Sequence, residues 1–94
     1  MMAYTTPKEL SSLRDEVDIV DVKLLELLLK RFELVDKIGH VKKENKIPVF
    51  VPGREDEILE NLTRKIDSKY SMYIKDTFAH LLDVSKQYQV ESVR

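Results

Sequence analysis

Residues 6–45 read TPKELSSLRDEVDIVDVKLLELLLKRFELVDKIGHVKKEN and carry the longest helical pattern in the chain. Apolar side chains recur three or four residues apart along it, as in a helix that packs along its whole length. They are Leu10, Leu13, Val17, Val20, Leu24, Leu27, Leu28, Leu34, Val35, Ile38 and Val41. Thr6 and Pro7 predict the start of this helix, as its cap and its first helical residue.

The predicted helix is long for the size of the chain. At about 1.5 Å per residue, residues 7–45 would extend for nearly 60 Å. A compact chain of about 100 residues has a radius of gyration near 13 Å, so its own body is too small to cover such a rod. We therefore expect a second chain to pack along this helix.

Two shorter helical patterns follow the first. Residues 46–51 are rich in β-branched side chains and contain Pro48, which predicts an extended connector. Pro52 and the acidic residues after it predict a short second helix over about 52–67, and a third helix is expected over about 71–91. The sequence thus predicts one all-α domain, residues 1–94, with a long, a short and a medium helix.

The composition excludes several classes of function. The 94 residues include 16 basic and 17 acidic ones, which gives a net charge of -1. Such a balance supplies no broad field for nucleic acid or an anionic membrane. The chain has no cysteine, no apolar run as long as a membrane span, and no signal-peptide core at residues 1–5. We expect a cytoplasmic protein that binds neither nucleic acid nor membrane.

Three cations of the long helix suggest a site for a small anion. Arg31 lies on the apolar stripe, where an unpaired charge is costly, so we expect an anionic group to meet it. Lys42 follows by close to three turns and projects from nearly the same face. Arg14 precedes Arg31 by about 25 Å along the axis. If Arg14 shares a small ligand with Arg31, it must come from another chain.

Further polar residues lie near the second helix and on the third. Arg54 and Glu55 occupy the predicted start of the second helix, and Ser85 and Gln89 lie four residues apart on one face of the third. With the cations of the long helix, they suit a pocket for a compact dicarboxylate. His40 and His80 are isolated and do not predict a metal site.

Each of these residues also has a structural interpretation. Lysine and arginine in a chain with 35% charged residues are most often solvated. Arg31 could pair with Glu33 or Asp36 inside the protein. Arg14 could form an ordinary surface pair with its neighbours Asp15 and Asp18.

The order and spacing of several motifs resemble those of the all-helical chorismate mutase family over nearly the whole chain. The motifs are Leu13-Arg14-Asp15, Ile19-Val20-Asp21, Leu24-Leu25-Glu26-Leu27-Leu28-Leu29-Lys30-Arg31, Ile38-Gly39-His40-Val41-Lys42, Pro52-Gly53-Arg54-Glu55 and Ser85-Lys86-Gln87-Tyr88-Gln89. The resemblance implies an intertwined homodimer with antiparallel long helices and shared active sites. It also implies the rearrangement of chorismate to prephenate on the route to phenylalanine and tyrosine, without metal or cofactor.

The resemblance assigns a role to each candidate residue. Arg14 of the partner chain and Arg31 would grip the two carboxylates, and Lys42 and Gln89 would donate to the ether oxygen. Arg54 would add positive potential. Glu55 would accept a hydrogen bond from the ring hydroxyl, and Ser85 would contact the carboxylate end.

One position departs from the family pattern. Many members carry an aspartate where this chain has Val51. Valine is a poor N-cap, so we expect the second helix to lose about 1 kcal/mol of capping. A backbone contact to substrate would survive the change, so Val51 remains a candidate for binding but not for catalysis.

Two alternatives to a mutase follow from the same residues. Isochorismate-pyruvate lyases resemble the same family and use a similar cationic pocket, although Glu55 beside Arg54 resembles the mutase pattern more closely. A non-catalytic helical dimer with a regulatory role would use the cations only as a charged surface.

Overall fold

The computed structural model describes residues 6–92 and contains three α-helices. Helix α1 covers Lys8–Glu44, α2 covers Arg54–Thr63 and α3 covers Ser71–Ser92. There is no strand within residues 6–92, and none of the helices described there is long and apolar enough to cross a membrane. The prediction of an all-α fold with long, short and medium helices is confirmed. The expectation about a signal peptide at residues 1–5 lies outside the described range.

Hydrogen bonds of the backbone end helix α1 at Glu44. The N–H of Ile47 donates to the carbonyl of Lys42 at 2.8 Å, and the N–H of Lys46 donates to the carbonyl of Lys43 at 3.3 Å. Together these bonds form a Schellman motif, which needs one residue in the left-handed conformation. Lys46 takes that position with a φ of 55°.

Replacing Lys46 by Gly should raise the free energy of unfolding by about 1 kcal/mol. A side chain in the left-handed region costs roughly 1–2 kcal/mol, and glycine avoids most of that cost. Urea unfolding followed by circular dichroism measures the change. Lys37→Gly, an exposed position inside α1, is the control and should lower stability by about 1 kcal/mol. An equal loss for Lys46→Gly would contradict the left-handed conformation of Lys46.

A turn before helix α2 makes this helix start later than the predicted range 52–67. The N–H of Arg54 donates to the carbonyl of Val51 at 3.2 Å, and Gly53 has a φ of 85° and a ψ of -17°. Pro52 followed by a glycine with these angles is typical of a type II β-turn. The predicted cap at Val51 is wrong, because the N-cap of α2 is Gly53. Valine at position 51 therefore causes no loss of capping.

Helix α2 also ends four residues before the predicted limit, at Thr63. The hydroxyl of Thr63 donates to the carbonyl of Leu59 at 2.8 Å. Beyond it the backbone tightens, since Lys65 and Ile66 donate to carbonyls three residues earlier, both at 3.2 Å. Such bonds are typical where an α-helix ends.

The chain divides into two compact units, residues 1–33 and residues 34–94. The described part of the first unit is residues 6–33, most of them in α1. Several large apolar side chains of its stripe are 51–67% exposed in the single chain. Examples are Leu13, Val17, Val20, Leu24 and Leu27.

The second unit contains the buried core of the described residues. Val35 of α1 and Leu82 of α3 are only 8% and 6% exposed. The hydroxyl of Tyr88 on α3 donates to Asp36 of α1 at 2.8 Å. This hydrogen bond raises the pKa of Tyr88, and burial and the negative charge of Asp36 add to the effect. Hydrogen bonds from α3 to α1 therefore help to fix the polar side chains on this face of α3.

Candidate active site

The side-chain amide of Gln89 is buried between α1 and α3 in the second unit. Gln89 is 6% exposed, and its Nε2 donates to the carbonyl of Val35 at 2.9 Å. Its Oε1 accepts a hydrogen bond from Nζ of Lys42 at 3.2 Å. Because the carbonyl of Val35 can only accept, it fixes the amide with its oxygen towards Lys42.

The ammonium of Lys42 is held by a second acceptor. Its Nζ also donates to the carbonyl of Val49 at 2.8 Å. An ammonium has three donors, so one N–H of Lys42 remains for an anionic ligand. Burial lowers the pKa of Lys42, and repulsion from the charge of Arg54 lowers it further. A bound anion would relieve this repulsion and favour the protonated lysine.

Arg54 is the second cation of this region and lies in the first turn of α2. Its Nη1 is 2.6 Å from Oε1 of Glu57, and the two side chains are 58% and 60% exposed. Exposed pairs of this kind add little to stability. The guanidinium can therefore exchange Glu57 for a ligand at low cost.

Glu55 pairs with a lysine that the sequence did not single out. Oε1 of Glu55 is 3.4 Å from Nζ of Lys86, which lies on α3. Lys86 is adjacent to Ser85 and three residues before Gln89, on the side of α3 that carries the candidate residues. That position is the signal by which the sequence could have identified Lys86.

Ser85 and Val51 lie in the same unit. Ser85 is 6% exposed, and its Oγ donates to the carbonyl of Leu81 at 2.8 Å. Val51 is 37% exposed, and its carbonyl accepts the N–H of Arg54 that closes the turn. A ligand could therefore reach Val51 from solvent.

Arg14 and Arg31 belong to the first unit. Arg31 is half-buried, and burial lowers its pKa. Partial burial fits its position on the apolar stripe. Arg14 is exposed, and among the described residues it forms no ion pair with Asp15 or Asp18. The structure therefore does not support the alternative interpretation of Arg14 as half of a surface pair with these aspartates.

The structure brings Lys42 and Gln89 into direct contact and places Arg54 within electrostatic range of Lys42. Within residues 6–92 there is no group of three or more His, Asp and Glu side chains that could hold a metal ion. The acceptor carbonyls of Val35 and Val49 could not have been predicted, because tertiary packing and the turn after α1 bring them there.

Comparison with protein families decides the affiliation of the chain. Residues 13–90 match the profile of chorismate mutase type II. The chain belongs to the chorismate mutase type II family. The family resemblance stated from the motifs is therefore confirmed. The matched range includes all eight candidate residues, from Arg14 to Gln89.

Individual relatives agree with this family. A T-protein of Enterobacter agglomerans is 43% identical over 60 residues, 64% of this chain and 16% of the relative. A bifunctional chorismate mutase/prephenate dehydratase of Aquifex aeolicus is 35% identical over 75 residues, 79% of this chain and 21% of the relative. A T-protein of Haemophilus influenzae is 32% identical over 83 residues, 88% of this chain and 21% of the relative.

This chain thus spans about a fifth of the length of these relatives. No solved structure matches the chain significantly.

Proposed function

We propose that this chain is a chorismate mutase domain that converts chorismate to prephenate in the synthesis of phenylalanine and tyrosine. Membership of the chorismate mutase type II family supports this function. The observation that carries it is the part-buried hydrogen bond between Lys42 and Gln89, with Arg54 as a second cation close by. A fixed lysine donor beside a neutral amide suits an oxygen that gains negative charge during a reaction.

The proposed reaction is an intramolecular Claisen rearrangement. One C–O bond of the enolpyruvyl ether breaks while one C–C bond forms within the same molecule. No nucleophile, metal or cofactor takes part. The protein needs to hold the flexible dianion in its folded conformer and to stabilise the charge that develops on the ether oxygen.

Each candidate residue then has a specific task. Lys42 donates its remaining N–H to the ether oxygen, and Gln89 can donate the second N–H of its Nε2. Arg31 and Arg14 of the partner chain bind the two carboxylates. Arg54 contributes positive potential, and Glu55 accepts a hydrogen bond from the ring hydroxyl. Ser85 contacts the carboxylate end, and the backbone at Val51 binds substrate.

We further propose that two copies of the chain form an intertwined homodimer with antiparallel α1 helices. The apolar stripe in residues 13–27 supports this, because its side chains are 51–67% exposed and burying them would be favourable. A second copy presents the same stripe, so the contact is self-complementary. Sedimentation equilibrium should give the mass of two 11.0 kDa chains. A monomer at micromolar concentration would contradict the dimer.

Separate assays with chorismate and isochorismate test the proposed activity. A mutase should form prephenate from chorismate and should release no pyruvate from isochorismate. Release of pyruvate from isochorismate would identify a lyase. Failure to turn over either compound, with a folded dimer, would favour the non-catalytic role.

The pH dependence of the reaction should report the protonation of Lys42. Because the pKa of Lys42 lies below the usual 10.5, kcat/KM should fall with rising pH before a free lysine would lose its proton. The fall in kcat should occur at higher pH, because bound dianion favours the protonated lysine.

The variant Arg54→Gln removes the repulsion and should move the alkaline fall of kcat/KM to higher pH. Steady-state rates between pH 6 and 11 measure the alkaline fall of kcat/KM in the wild type and in the variant. Identical alkaline limbs for the wild type and Arg54→Gln would contradict the coupling of these two cations.

A further inference from the structure

Lys86 links three parts of the second unit. Its Nζ lies 3.4 Å from Oε1 of Glu55 on α2 and 3.9 Å from Oδ1 of Asp83 on α3. The same Nζ lies 5.4 Å from the centroid of the Phe50 ring in the connector. The Lys86 and Glu55 side chains are 39% and 34% exposed. Water therefore screens this pair less than it screens a fully exposed pair.

The partners of Lys86 are also neighbours of the candidate site. Phe50 follows Val49, whose carbonyl accepts the hydrogen bond from Lys42 at 2.8 Å. Two lysines from different helices thus hold adjacent residues of the connector, Lys42 at Val49 and Lys86 at Phe50. Lys86 additionally holds the carboxylate at the start of α2.

We propose that Lys86 is a positioning residue that orients the carboxylate of Glu55 towards the ring hydroxyl of the bound substrate. This inference rests on the proposed function. A glutamate side chain has several rotatable bonds, and an ion pair at one carboxylate oxygen selects among its rotamers. Because Lys86 binds Oε1, Oε2 remains to accept the hydrogen bond of the substrate.

Two other roles for Lys86 predict different kinetics. As a direct source of positive potential for the dianion, Lys86 would contribute independently of Glu55. As a purely structural link between α3 and the connector, it would change stability without changing the kinetics of the folded enzyme. Only a positioning role makes the effect of Lys86 depend on Glu55.

A double-mutant cycle separates these roles. Lys86→Met keeps the apolar stem over Phe50 and removes the charge, and it should lower kcat/KM about 10-fold through misplacement of Glu55. The double variant Lys86→Met/Glu55→Ala should match Glu55→Ala alone to within about 2-fold, because the effect of Lys86 acts through the Glu55 carboxylate that both variants lack. Lys86→Arg retains the pair and should restore most of the activity. Lys75→Met, an exposed lysine of the same helix, should behave as wild type.

A chorismate analogue without the ring hydroxyl gives an independent readout. Lys86→Met and wild type should turn over this analogue at equal rates. Additive losses in the cycle, or an equal loss with the analogue, would overturn the positioning role while leaving the mutase activity intact. A lower Tm with unchanged kcat/KM would also overturn it. Absence of prephenate formation by the wild type would overturn both proposals.

Discussion

Replacing Lys42 by Ala should lower kcat/KM for chorismate by about 10²- to 10³-fold, the usual cost of removing one donor from a developing oxyanion. Lys42 is suited to this task because two fixed acceptors, Val49 and Gln89, aim its ammonium. The interaction strengthens as the C–O bond breaks, so the loss should fall mainly on kcat. Quenched-flow or continuous assays of prephenate formation measure it.

Lys43→Ala is the matched control for this variant. Lys43 is the next residue of the same helix, is exposed, and carries the same charge. Its substitution should change kcat/KM by less than about 2-fold, because exposed charges are largely screened. Circular dichroism should show that both variants remain folded. Equal losses in the two variants would indicate a general charge effect and contradict the role of Lys42.

The sequence predicted those features that depend on local chemistry. Helical periodicity placed α1 to within one residue at each end, because apolar spacing and proline act within a few residues. The start of α2 was misplaced because Pro52 suits both a first helical turn and the second position of a β-turn. Gly53, directly after it, is the residue that decides for the turn.

Features that depend on tertiary packing could not be predicted. Periodicity assigned Val35 and Leu24 to one stripe, yet Val35 is 8% exposed and Leu24 is 51% exposed in the single chain. The pattern identifies which face of the helix is apolar, but it does not show which part of the protein packs against that face. The hydrogen bond from Gln89 to the carbonyl of Val35 joins residues that are 54 positions apart. No spacing rule within one helix could have identified that bond.

Mixing Arg14→Ala chains with Lys42→Ala chains should restore activity that neither variant has alone. In the proposed dimer each site takes Arg14 from one chain and Lys42 from the other. A heterodimer then places both substitutions in one site and leaves the second site intact. After denaturation and refolding of an equimolar mixture, about half of the dimers should be heterodimers. Activity should reach about a quarter of the wild type, far above either variant alone.

A single chain that carries both substitutions, mixed with wild-type chain, is the control for this experiment. If sites are shared, every heterodimer in that mixture has one defect in each site, and only wild-type homodimers remain active. Activity should then fall from about half to about a quarter of the wild-type value as subunits exchange. If each site lies within one chain, exchange leaves the activity at about half, and the first mixture shows no recovery. The two mixtures therefore respond in opposite ways to a shared site, whereas general instability of the variants would lower both.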